Sequence, residues 1–578
     1  MNMINQALKG GILNSYLKVG VVSSIYSQAV RANLIYVGEI SGTYMNGDRY
    51  GIGEVGEILL IEGQQSIVLG RLIEVKVPEY ERGDISNESI HNKKIDAIGI
   101  IQLLGTIDPS NLRIDSGIKE YPRLGDIIYS APLEFISLIP ELINKGIKDN
   151  NDEKIGIVLG HIAGGESSIV TVEPDKLFGR HCAILGATGG GKSWTTAKLI
   201  EECSNYENSK TIIIDATSEY RSFASEYCSH FHLGDPINKY ESSLEFRIPP
   251  TDFIESDFIA MFDPSGKVQG PKLKEAIKSL RLVSIDPTIA TNGILRKIKQ
   301  PKADYRRAMN TGDNSKLVDD PSQPFDVTKL IQQIVQECNY DNGDDSWGNA
   351  ATQDLSYCSS LLTRIQAVTY SSSLKSVFHG DEKVLKLGDI LNDFLISNKR
   401  VLRLCLSDIS YEFFAREILA NVIGRKLLTL ARCETFRTQP LLVIVDEAHN
   451  FLGKRVGSED HSIKLDAFEM IAKEGRKYGL NICLTTQRPR DITEGVLSQI
   501  GTLLVHRLTN DRDREVVERA CGEIDKSAAS FLPSLKQGEI ALVGVDFPIP
   551  MTIQIGKPIY PPISDSPGYG NIWKRTVI

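Results

Sequence analysis

Residues 181–215 read HCAILGATGGGKSWTTAKLIEECSNYENSKTIIID. HCAIL is a short apolar run of strand type, and KSWTTAKLIEEC carries apolar positions near a 3.6-residue period. TIIID is a second buried strand, so strand, glycine turn, helix and strand form one βαβ unit. The turn satisfies G-x-x-x-x-G-K-[ST], with Gly186, Gly191, Lys192 and Ser193 at the defining places. Such a loop curls its backbone N–H groups around phosphates at a helix N-terminus. Its lysine reaches the β and γ oxygens and its hydroxyl holds Mg²⁺. Glycine is required because side chains would block that approach and because the backbone visits positive φ. The candidate nucleotide-binding residues are therefore Gly186, Ala187, Thr188, Gly189, Gly190, Gly191, Lys192, Ser193 and Trp194.

The same alternation resumes further along the chain. VLRLCLSD (401–408), the helix-like EFFAREILANVIGRKLLTLAR, LLVIVD, a helix around 463–478, NICLTT and TLLVHRL predict a parallel sheet covered on both faces. LLVIVDEAHNF (441–451) ends an apolar strand with two carboxylates. Strand carboxyl ends form the ligand crevice of such a sheet. Asp446 is thus expected in the magnesium shell, through water, and Glu447 is expected to orient an attacking water. Adjacent acids favour hydrolysis over binding alone. NICLTTQRPRD (481–491) ends at Gln487, either a γ-phosphate sensor or a plain loop residue. Arg476 and Lys477 close a helix, where they complement its dipole or supply an arginine finger to a neighbouring subunit.

A chain of 578 residues is expected to hold about three or four folding units. Hydrophobic residues at 41% and charged residues at 24% fit a globular protein. No apolar run approaches a membrane span, and the N-terminus lacks the pattern of a cleaved leader, so a cytoplasmic location is expected. The nine cysteines include no C-x-x-C pair, which disfavours structural zinc and disulfides. The 65 Lys and Arg against 74 Asp and Glu give a net charge of −9. Any nucleic-acid contact then depends on a local basic surface, because the global field repels DNA.

From Tyr16 to about residue 165, runs such as GEILLIEG, SIVLGRLIEVKV, AIGIIQLLGTI and GDIIYSAP between turn residues predict a small antiparallel barrel or sandwich. GDISNESIHNKK (83–94) reads as a polar loop. Between about 250 and 400 the strand pattern gives way to helical spacing, as in KLKEAIKSLRL and VTKLIQQIVQEC, which predicts an inserted helical subdomain. Within it, NYDNGDDSWGN (339–349) lacks the ligand pattern of a calcium loop and reads as a solvated loop. The proline-rich end of the chain reads as an extended strap. The expected segments are a barrel over 1–165, an ATPase core over 166–250 and 401–550, a helical insertion over 251–400, and a strap over 551–578.

Together, GRHCAILGATGGGKS, IIIDATSEY, LLVIVDEAHNF, EGRKYGLNICLTTQRP, VLSQIGTLLVHRLTN and LPSLKQGEIALVG resemble, in order, the HerA family of hexameric DNA translocases within the FtsK–HerA class. The resemblance implies an α/β RecA-like phosphate-loop ATPase core behind an N-terminal β-barrel, using ATP and Mg²⁺. It assigns Arg180 to the edge of the nucleotide site and Arg476 to the trans-acting arginine, with Lys477 and Arg507 as competitors. Asp215 and Glu219 match an acidic second-strand motif resembling D-P-H-G-E-Y, which here reads DATSEY without the histidine. Gly190 stands where the family commonly has Ser.

The resemblance also implies a homohexamer with double-stranded DNA in its channel, where six repeats of a few charges reconcile DNA binding with a negative chain. Candidate DNA contacts are Lys454 and Arg455, on the loop after Glu447. RKIKQPKADYRR (296–307) is a second basic candidate, with a solvated face as its alternative reading. No nuclease signature is present, so DNA cleavage would come from a partner nuclease or effector, in DNA end processing or anti-phage defence. The competing expectation is a hexameric scaffold that recruits an effector, with ATP as a regulatory ligand.

Overall fold

The computed structural model describes residues 11–35, 43–45, 48–50, 53–77, 97–143, 155–163, 165, 168–236, 240–343, 345–371, 374–379, 383–453, 455–457, 462–520 and 531–563. The polar stretch 83–94, Lys454 and residues 564–578 lie outside them. The chain separates into two compact units, each assembled from distant stretches: residues 1–203 with 485–561, and residues 204–484 with 562–578.

The first unit opens with a closed antiparallel barrel. Its strands run in the order Ala29–Leu34, Lys18–Ile25, Ile127–Ser130, Ile58–Glu62, Ile67–Lys76 and Ala97–Ile107, and the last pairs back onto the first. Closure settles barrel against sandwich, because it removes both free edges. Strict alternation in AVRANL buries Val30, Ala32 and Leu34. These meet Val19, Val22, Leu59, Ile61, Val68, Leu72, Ile101 and Ile128 in one core.

The same unit carries six strands in the order Ile169–Val172, Ile157–Ile162, Phe547–Ile555, Glu539–Gly544, Thr502–Val505 and Cys182–Leu185. Only the last two pair in parallel; the others are antiparallel. The expected parallel sheet is therefore mixed here. The segment read as a strap also begins with a strand, since Phe547–Ile555 completes this sheet and includes Met551–Ile555. Ile157–Ile162 likewise belongs to this sheet, although its sequence precedes residue 165.

The second unit holds seven parallel strands in the order Leu480–Thr486, Leu441–Val445, Lys210–Asp215, Val401–Cys405, Cys228–His232, Leu244–Arg247 and Leu385–Lys386. Every residue of Leu441–Val445 and Val401–Cys405 is buried, as strands covered on both faces require. Helices from Glu255–Phe262 to Leu387–Ile396 form the insertion, with Leu273, Ile277, Leu280, Ile334, Leu361 and Ile365 in its interior.

Two stretches of the insertion depart from expectation. NYDNGDDSWGN forms a two-stranded hairpin, Asn339–Asp341 with Trp347–Ala350, rather than a loop. Asp341 is partly neutralised, because Lys302 Nζ bonds Asp341 Oδ1 at 2.6 Å and Gly343 O at 2.6 Å. In the basic stretch 296–307, Lys297 is buried, 2.6 Å from Glu337 and about 5 Å from the Tyr305 and Trp347 rings. It anchors the hairpin and is withdrawn from any DNA surface.

Candidate functional site

The phosphate loop lies in the first unit, between the strand Cys182–Leu185 and the helix Lys192–Ser204. Gly189 and Gly191 take φ of 76° and 109°, which L side chains resist. Ala187 N–H donates to Arg507 O at 3.2 Å and Gly190 N–H to Ala187 O at 3.1 Å. Gly190 O in turn accepts from Gly538 N–H at 3.2 Å. Among the described residues, the N–H groups of Gly189 and Gly191 find no acceptor, which is the donor set an anionic phosphate satisfies.

A histidine that sequence reasoning missed supports this loop from below. His506 is fully buried, its N–H donates to Leu185 O at 2.7 Å, and its Nε2 lies 2.9 Å from Thr195 Oγ1. A Cβ on Gly186 would come within 2.5 Å of the His506 Cβ, so the glycine there is dictated by this packing. Burial, aided by the Lys192 charge, pushes the imidazole down to about 4, so it is neutral at physiological pH. The available signal was its place at the end of TLLV, a strand pairing in register with Cys182–Leu185.

Gln487 reaches the same loop, accepting a hydrogen bond from the Thr188 hydroxyl. Ser193 and Trp194, on the first turn of the helix, are half-buried, and Lys192 is buried. Arg180 precedes the strand and pairs with Asp546 at 3.5 Å, about half exposed. Arg507 has its carbonyl on the loop and its side chain in solvent.

The acidic residues lie in the second unit, at the carboxyl ends of adjacent parallel strands. Ile214 pairs with Val445, so the chain leaves the sheet side by side at Asp215 and Asp446. Asp446 is buried, donates its N–H to Ile214 O at 3.2 Å, and accepts from Thr217 Oγ1 at 3.3 Å. Glu447 adopts φ 47°, ψ 47°, a left-handed conformation costly for a residue with a Cβ, and its Oε2 lies 3.3 Å from His449 Nδ1.

Asp215 is fully buried. Its carboxylate accepts from the amides of Thr217, Glu219 and Tyr220 at 3.2–3.3 Å and from Arg403 Nε at 2.6 Å. Both of its oxygens therefore serve the turn that carries Thr217 and Glu219. Ser218 stands at φ 66°, held by Arg403 Nη2 on its hydroxyl at 2.9 Å. Arg416 Nη1 binds Ala216 O at 3.2 Å while its guanidinium packs over Tyr411 at 4.1 Å. Arg403 and Arg416 were not singled out in the sequence, since an arginine inside an apolar strand or helix announces no partner.

Arg476 and Lys477 are exposed on the turn Gly475–Tyr478; Lys477 lies 3.6 Å from Glu474 and over Tyr478. Arg455 is exposed on the short strand Arg455–Val456, with Nη1 3.4 Å from Ser462 Oγ. Among the described residues, no cluster of His, Cys, Asp and Glu is arranged to hold a metal ion, and the eight described cysteines are free. No described helix is long and apolar enough to cross a membrane.

A strand, a glycine loop with orphan donors and a helix headed by Lys192 define a phosphate-loop nucleotide site. Residues 157–346 match the family model described as Helicase HerA, central domain. The chain therefore carries a HerA-type central domain and is an ATP-hydrolysing enzyme. It is 24% identical over 510 residues to the probable DNA double-strand break repair helicase HerA of Methanocaldococcus jannaschii, covering 80% of this chain and 85% of that protein. It is also 24% identical over 381 residues to the DNA double-strand break repair helicase HerA of Saccharolobus solfataricus, covering 65% of this chain and 64% of that one. Among solved structures, VirB4 of Thermoanaerobacter pseudethanolicus aligns with a TM-score of 0.45 at 16% identity, over 72% of this chain and 99% of that one.

Proposed function

We propose that the protein is a cytoplasmic, homohexameric motor that hydrolyses ATP to move along double-stranded DNA, and that it serves a partner nuclease or effector. The observation that carries this reading is Glu447, held in a strained backbone state beside Asp446 at the end of a buried parallel strand, in a chain similar to HerA helicases along most of its length. Strain of this kind persists where surrounding structure fixes a side chain for chemistry.

In this reading the phosphate-loop amides and Lys192 hold the β and γ phosphates, and Gln487 senses the γ-phosphate through Thr188. Ser193 and Asp446 offer the hard oxygen donors that Mg²⁺ prefers, and the ion supplies charge neutralisation on the phosphates. Glu447 accepts the proton of the attacking water. Asp215 acts as a positioning residue for its turn, because its carboxylate is already taken. Arg180 serves the edge of the nucleotide site, Glu219 its acidic turn, and Arg476 a neighbouring subunit's nucleotide. Arg455 and Lys454 follow the DNA backbone.

The test is the ATPase rate with and without duplex DNA, together with Glu447→Gln. The expected result is stimulation by DNA, and a variant that still binds ATP while hydrolysis falls about 10²-fold or more. Hydrolysis indifferent to DNA, with a fully active variant, would sink the motor reading and leave the effector scaffold. Native mass spectrometry reads the subunit count.

A further inference from the structure

We infer that Thr217 is a positioning residue for Asp446 and sets how tightly the site holds the divalent cation that accompanies the nucleotide. The inference rests on the proposed role of Asp446 as the metal-shell carboxylate. Thr217 sits at the exposed tip of the turn after the strand Lys210–Asp215, and its hydroxyl donates to Asp446 Oδ2 at 3.3 Å. The hydroxyl has no part in holding the turn, which Asp215, Arg403 and Arg416 fix through backbone groups and the Ser218 hydroxyl.

That division of labour is informative. Three buried ionic groups immobilise Ala216, Ser218 and the amides around them, and one uncommitted hydroxyl is thereby presented to the acid on the next strand. A donor on one carboxylate oxygen fixes the side-chain rotamer, which is how partners of a ligand tune a cation site. Val445 and Ile214 are paired, so Thr217 and Asp446 rise from neighbouring strand ends and their spacing is set by the sheet itself.

Thr217→Val removes the donor and keeps the β-branched shape, and Thr217→Ser keeps the donor. Mn²⁺ binding to the ADP-bound full-length protein, followed by electron paramagnetic resonance, is the readout, with thermal melting as the folding control. Thr217→Val is expected to weaken Mn²⁺ binding about tenfold at unchanged melting temperature, and Thr217→Ser to restore it to within about twofold. Wild-type Mn²⁺ binding by Thr217→Val, or equal weakening in Thr217→Ser, would overturn the inference. Asp446→Asn separates the two levels of argument. If it leaves Mn²⁺ binding intact, the role of Asp446 itself fails; if it weakens binding while Thr217→Val does not, only the Thr217 assignment fails.

Discussion

His506 occupies the space beneath the phosphate loop that any side chain at Gly186 would need, with Nε2 2.9 Å from the Thr195 hydroxyl. The loop is thus shaped from below by a neutral imidazole as well as by its own glycines. Gly186→Ala is expected to push this packing apart, lowering stability by about 1–3 kcal/mol and abolishing tight nucleotide binding. Gly189→Ala meets open space and suffers only its φ of 76°, about 1 kcal/mol. Paired thermal melts and fluorescent-nucleotide titrations check the contrast; equal effects of the two changes would contradict it.

The buried His506 also makes stability depend on pH, with a definite sign. Its folded value lies near 4, below the ordinary 6.5, so as pH falls from 6.5 to 4 the unfolded chain takes up the proton first and stability drops. Glu57 in the barrel works oppositely. Burial raises it from 4.5 to about 7, so as pH climbs through that interval the unfolded chain loses its proton first and stability again drops. Denaturant titrations across pH 4–8 should show His506→Gln flattening the loss on the acid side and Glu57→Gln flattening the loss towards neutrality.

Arg403 and Asp215 form a fully buried ion pair that organises the acidic turn. Removing one partner strands the other charge, so Arg403→Met should cost about 3–5 kcal/mol. Adding Asp215→Asn to that variant should return part of the loss, because the stranded charge is gone. A double-mutant cycle from urea unfolding measures the coupling; strictly additive losses would show that the pair does not act as a unit.

Lys297 gives a prediction of the opposite kind, a basic residue with no part in DNA binding. Lys297→Met should lower the melting temperature, because Glu337 loses its 2.6 Å partner. The salt dependence of duplex DNA binding should be unchanged, since a phosphate contact would alter its slope. A shallower slope in this variant would return the stretch 296–307 to the DNA surface.

The sequence revealed those parts of the site whose local pattern is itself the mechanism. GATGGGKS is such a case, because its glycines and lysine are consecutive, and so is VDEAH at the end of a continuous apolar strand. What stayed hidden depends on contacts between distant residues. Ser218 tolerates its left-handed conformation because Arg403, 185 residues away, holds its hydroxyl. The strand Phe547–Ile555 was obscured by Pro548 and Pro550, which ordinarily argue against a strand. Both prolines precede Ile553–Ile555, where the strand gains its second neighbour, so they sit where only one side is paired. The hairpin at 339–350 was hidden for a related reason: Asp341 is tolerated because Lys302 Nζ lies 2.6 Å from its carboxylate.

That last strand also governs when the protein can mature. Ile162 pairs with Ile553 and Gly160 with Ile555, so the sheet that carries the phosphate loop closes only once the chain as far as Ile555 has left the ribosome. The barrel, whose strands all lie before residue 131, is free to fold much earlier during synthesis. Between those two events the strand Ile157–Ile162 lacks its closing neighbour, an unpaired edge that invites chaperone capture or wrong pairing with another nascent copy.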